Sequence, residues 1–241
     1  MPYYYYGYGY GYGYDSYSLL LIVAMIAVMI IGFIAQRRVQ STFNKYNKYS
    51  AYCGKTAAEV ASELLYQHGS SVSLTQVQGS LTDHFNPKTQ TVGLSQLVYG
   101  NTSVAALAVA AHEIGHVMQY EEGYAPIRIR NSILPVANLG SHAAPFIVII
   151  GILFSSYTLA MVGAILFGAV LLFQLITLPV EFNASSRAIE MLSSGGYVTA
   201  EESADAKKVL RAAAMTYVLA TLASALSFLR VVLIAQRTRR R

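Results

Sequence analysis

The sequence predicts a mainly α-helical, polytopic integral membrane protein. It should have about four transmembrane helices, a helical core on one membrane face and a short β-hairpin. Only 12% of the 241 residues are charged, whereas 54% are hydrophobic. That is about half the charged fraction of a soluble domain. Long apolar runs recur along the chain, separated by polar segments with helical spacing. The net charge of +5 gathers at the C-terminus and near the ends of the apolar runs, which favours the headgroups of a lipid bilayer over nucleic acid as a partner. The single cysteine, Cys53, excludes an intramolecular disulfide framework and a CxxC metal pair.

Residues 1–17 form a Tyr/Gly-rich tract with no Lys or Arg and a single acid, Asp15. Without aliphatic residues it cannot form a core, so a disordered tail is expected, able to lie at the interface through its tyrosines. Residues 18–35 are an uninterrupted apolar run followed by Gln36-Arg37-Arg38, long enough to be a first transmembrane helix. No basic residue precedes the run, so it reads as an uncleaved span with its N-terminus outside rather than a cleaved signal peptide.

Residues 36–130 are the most polar region. Ala57, Val60, Ala61, Leu64 and Leu65 recur at helical spacing between Thr56 and His68, and Gly69 closes that helix. Val72–Leu81 and Thr89–Leu97 read as two short strands, with Asp83-His84-Phe85-Asn86-Pro87 as the turn between them. An exposed strand edge beside a functional site could hold an extended peptide, although a plain scaffold hairpin is also compatible with these residues. Ser103 is an N-cap candidate for the alanine-rich run that follows it.

From Pro145 to Pro179 the chain carries no charge. A single helix of that length would overrun a hydrocarbon core of about 30 Å, so two passes are predicted, over 131–154 and 157–180. Ser155-Ser156-Tyr157-Thr158 is the short outer turn between them. Residues 181–211 are polar again and should lie on the inner face, with Ser193-Ser194-Gly195-Gly196 as a break. Residues 212–235 form a fourth apolar stretch carrying Arg230, followed by a basic tail over 236–241. With the N-terminus outside, twelve Lys and Arg residues fall in inner segments, which places the polar regions in the cytoplasm. The arginines of the tail then lie outside, against that rule, so the fourth stretch either spans as an exception or does not fully cross.

Within 36–130 stands His112-Glu113-Ile114-Gly115-His116. On a helix the four-residue spacing puts both imidazoles on one face, one turn apart, where they can share a metal ion. Zinc suits neutral imidazole, and a site with three protein ligands keeps a fourth position for a water that Glu113 can deprotonate. Chance alone would give the pattern in roughly one such chain in a few hundred. Two histidines do not complete such a site. Glu181, Glu190, His142, His84, Asp83, Glu121 and Glu122 are the candidates for a third ligand. Glu181 leads them, because it starts a helical stretch, 181–188, directly after the third span, and a carboxylate buried there needs a partner. An ordinary acid favoured by the dipole of a helix start is the simpler alternative.

Asp83-His84-Phe85-Asn86-Pro87, Leu94-Ser95, Ala110-Ala111-His112-Glu113-Ile114-Gly115-His116 and Leu178-Pro179-Val180-Glu181-Phe182-Asn183-Ala184-Ser185 occur in that order between apolar segments. In this the chain resembles the YugP-type membrane zinc metallopeptidases of bacteria over nearly its whole length. The resemblance implies His112, His116 and Glu181 as zinc ligands and Glu113 as the catalytic base. It carries no substrate. Asn183, Ser185 or Asp83 could orient a ligand, and His84, Arg187 or Tyr120 could stabilise a developing oxyanion.

The expected function is hydrolysis of peptide bonds in a protein or peptide substrate, membrane proteins included, by a multi-pass enzyme of the cell membrane. The alternative is a non-catalytic zinc-binding scaffold, which Glu113 argues against, since a structural zinc would close its fourth position with His or Cys. A channel would need ionisable residues inside the spans, and the first three have none.

Overall fold

The computed structural model describes residues 16–239, with side chains for 19–236, so all but the last two residues of the Tyr/Gly-rich tail expected over 1–17 lie outside the described residues, as do residues 240–241 of the basic tail. The chain forms α1 (Ser16–Tyr46), α2 (Ala57–Gln67), β1 (Ser73–Val77), β2 (His84–Asn86), β3 (Thr91–Ser95), α3 (Gln96–Tyr99), α4 (Val104–Glu121), α5 (Ala125–Leu153), α6 (Tyr157–Ser194) and α7 (Ala200–Arg239). The mainly helical class is borne out. Four of these helices, α1, α5, α6 and α7, are long and apolar enough to cross a membrane. Each outruns its apolar stretch in sequence, so the helices continue from the apolar layer into the polar core.

Local chemistry explains most boundaries. Thr56 caps α2 by accepting from the Glu59 amide, while the Glu59 carboxylate accepts from the Thr56 amide, a reciprocal capping box. Gly69 ends that helix with a φ of 69°. Ser103 caps α4 through the Ala106 amide at 3.2 Å. The turn between α5 and α6 is as short as expected, with Ser156 capping the next helix. Gly195 and Gly196 separate α6 from α7.

Two expectations are corrected. The strands expected as a hairpin, now β1 and β3, pair parallel, and Asp83–Pro87 is not simply a turn because it contributes β2, antiparallel to β3 in the order β1-β3-β2. The reversal lies later in the chain. Asn86 Oδ1 accepts from the Lys88 and Thr89 amides and Gln90 adopts a φ of 50°, so the tight turn occupies the residues after Pro87. The second correction concerns Glu181, which does not start a helix. It lies inside α6, which runs unbroken through Pro179. Proline removes one backbone donor there, and the flanking turns continue the helix.

The core gathers α2, β3, α3 and α4 with the polar ends of α6 and α7, around Phe43, Leu94, Leu107, Ile114 and Leu192. α4 is buried on nearly every side. Gly115 lets α6 approach closely: a Cβ at that position would stand 2.7 Å from the Ala184 carbonyl oxygen.

Candidate metal centre

α4 brings His112 and His116 onto one face, with ring centroids 4.7 Å apart and the rings edge to face. Because Gly115 admits α6 to contact, Glu181 reaches both rings. Glu181 Oε2 lies 3.3 Å from His112 Nε2 and 3.7 Å from His116 Nε2. Donor atoms on a tetrahedral zinc at about 2.0–2.1 Å would stand about 3.3 Å apart, so the spacing fits such an ion. His112, His116 and Glu181 are the group among the described residues that could hold a metal.

The other candidates for the third position are engaged elsewhere. Glu122 pairs with Arg187 at 2.7 Å, and Glu121 accepts from Ser70. His142 contacts the Asn138 carbonyl on α5. Asp83 accepts from the amide and hydroxyl of Ser95, and His84 Nδ1 lies 2.9 Å from the Thr82 carbonyl. Glu190 lines a separate groove between α6 and α7.

A chain of side chains fixes the tautomer of His116. Arg187 is only a donor, so its bond to Asn183 at 2.8 Å identifies the Asn183 oxygen. Gln119 Nε2 donates to that oxygen at 2.9 Å and to the Val180 carbonyl at 2.8 Å. The Gln119 carbonyl oxygen is then turned to His116 Nδ1 at 3.0 Å. That ring nitrogen must carry a proton, and Nε2 is the atom turned to Glu181. Gln119 is fully buried. Ser185 stands 3.3 Å from His112 Nδ1 in the corresponding position. Asn183 and Ser185 therefore lie where ring orientation is set, as their place in the sequence suggested. Gln119 was missed, although a polar residue three positions after a histidine on the same helix face is a visible signal. Arg187 is committed to Asn183 and Glu122, and Tyr120 packs edge-on against Phe85, at 5.8 Å between ring centroids.

Glu113 projects into a cavity with two lobes that meet at His112, Glu113 and Glu181. One lobe of about 260 Å³ runs past Phe43, Val109 and Leu210, and the other, of about 170 Å³, past His84, Phe85 and Arg130. Burial pushes the Glu113 carboxyl above the usual carboxylate range, against the pull of His116 and His112. Burial likewise raises Asp83, which lines both lobes, against the hydrogen bonds from Ser95. Two residues that sequence reasoning did not single out also face the site. Tyr217 of α7 lines both lobes. Arg130 of α5 lies 4.0 Å from Glu181 Oε1, and its Nε is buried without a hydrogen-bond partner. No spacing in the sequence ties α5 or α7 to the motif, so neither residue carried a signal.

Fold and site together define a class: a helical protein with four apolar helices whose polar core holds a buried His-His-Glu group beside a free glutamate. Residues 21–236 match the family described as "Putative neutral zinc metallopeptidase", and the chain belongs to it. It is 45% identical over 217 residues to the "Putative membrane protease YugP" of Bacillus subtilis (strain 168), covering 90% of this chain and 96% of that protein. No solved structure matches the chain.

Proposed function

We propose that the chain is a membrane-embedded zinc metallopeptidase with His112, His116 and Glu181 as metal ligands and Glu113 as general base. The observation that carries this is the convergence of Glu181 from α6 on the two Nε2 atoms of α4, with Glu113 open to the cavity beside them. When bound, zinc polarises the scissile carbonyl and makes a water acidic near neutral pH. Glu113 takes a proton from the attacking water and then gives it to the departing amine, so base and acid are one carboxyl. Its raised proton affinity suits both halves of that transfer.

Arg130 and Tyr217 are the donors best placed for the oxyanion, since both face the lobe that contains Glu113 and Arg130 lacks a partner for its buried Nε. β2 is an edge strand beside α4 and lines the same lobe through His84 and Phe85, which supports an extended peptide lying along it. The distribution of Lys and Arg supports a site on the cytoplasmic side.

The test is Glu113→Gln in the full-length protein. It should bind zinc stoichiometrically and lose about 10²–10⁴-fold in kcat on an unfolded protein substrate. Cleavage at the wild-type rate by the zinc-loaded variant would overturn the assignment.

A further inference from the structure

A groove of about 780 Å³ runs between α6 and α7 where the two helices leave their apolar stretches. Its walls are mostly apolar, with Phe182, Ile189, Met215 and Val218 among them. It borders the larger lobe of the metal centre, with Ser185, Leu210 and Ala214 forming the wall that both share. Ser185 is the residue beside His112 Nδ1, so the groove passes one side chain away from the site. At its far, polar end stand Lys207 and Arg211, one helical turn apart, exposed and in no ion pair among the described residues, with Glu190 across from them.

We propose that this groove receives an apolar segment of the polypeptide substrate and reads an acidic side chain at the polar end. The inference rests on the peptidase assignment and adds a substrate class to it. Its volume lies within the range of sites that enclose ligands through apolar walls and a few polar groups. Two cations against one carboxylate leave a net positive rim that an acidic residue would complement. Ser186 lines the groove as well, and its hydroxyl offers a hydrogen bond to a peptide backbone, whereas the Ser193 hydroxyl is paired with Ser203. A lipid acyl chain has no use for such a bond.

The test uses full-length protein in phosphatidylcholine nanodiscs and paired quenched-fluorescence peptides. Each pair differs only in Asp or Lys at the end of an apolar run, placed at several distances from the scissile bond. Wild type should favour Asp by about tenfold in kcat/KM, through KM, and less so at high salt. Lys207→Glu with Arg211→Glu should invert the preference, the milder Lys207→Gln with Arg211→Gln should flatten it, and Ser186→Trp should raise KM for both peptides of a pair. An unchanged preference in the charge variants would overturn the proposal.

Binding separates it from the catalytic assignment. Fluorescence anisotropy of a labelled Asp peptide on the Glu113→Gln protein should show affinity that charge reversal removes. If wild type cleaves none of the peptides while this binding holds, the peptidase assignment falls and the groove stands. Equal binding by both proteins sinks the groove. So does a result in which charge reversal alters only the response to added phosphatidylglycerol and leaves peptide affinity unmoved, since the groove is then a lipid seat.

Discussion

α4 and α1 are both strongly apolar and are used in opposite ways. Leu107 and Ile114 in α4 are fully buried, whereas Leu20 and Phe33 in α1 remain 67% and 62% exposed. α5 carries the same outward character, with Phe146 at 67%. In α4 the apolar atoms meet other side chains and hold a polar centre at fixed spacing. On the outward faces of α1 and α5 they meet nothing within the described residues, which is how a helix face presented to lipid looks. Hydrophobicity therefore locates the chain in one region and sets ångström-level geometry in the other, so equal substitutions should have unequal effects.

The sharpest contrast is expected from Leu107→Ala, which opens a cavity beneath the metal centre and should cost about 2–5 kcal/mol in denaturant or thermal melts. If it cost no more than a change on α1, the division between the regions would fail. Gly115→Ala should cost about 1–3 kcal/mol by forcing α6 away from α4, and it should lower zinc content because Glu181 moves with α6. Retained zinc at full stability would mean that the Gly115–Ala184 contact does not set the spacing. Gln119→Leu keeps the volume but removes the bonds to the Val180 carbonyl and Asn183 and frees the His116 tautomer. Zinc affinity, measured by chelator competition, should fall about 10–100-fold. Phe146→Ala is the smallest case, with folding stability in detergent expected to shift within about 0.5 kcal/mol.

Sequence made the outer frame and the motif legible for a shared reason, that both depend on short-range pattern. Apolar runs announce the four long helices, and Ser103 and Thr56 announce helix starts because capping is chemistry between near neighbours. Glu181 could be selected because it follows a span and falls in a motif shared with a known family. Its setting inside α6 was not legible, since Pro179 reads as a boundary until neighbouring turns are seen to carry the helix through it. The parallel pairing of β1 with β3 was hidden for a related reason: strands this short give direction no signature in sequence. Arg130 and Tyr217 reach the site from helices far apart in the chain, and only packing brings them there.

The unbroken α6 also has a consequence in time. Because the carboxylate rides on the helix that follows the α5–α6 turn, it is synthesised 65 residues after His116, as the positions 181 and 116 give. At translation speeds of about 5–20 residues per second the gap is several seconds. Through that interval the ribosome-bound chain holds two imidazoles and a base but no third anchor. The His-His-Glu group therefore cannot be complete before its apolar hairpin has been made.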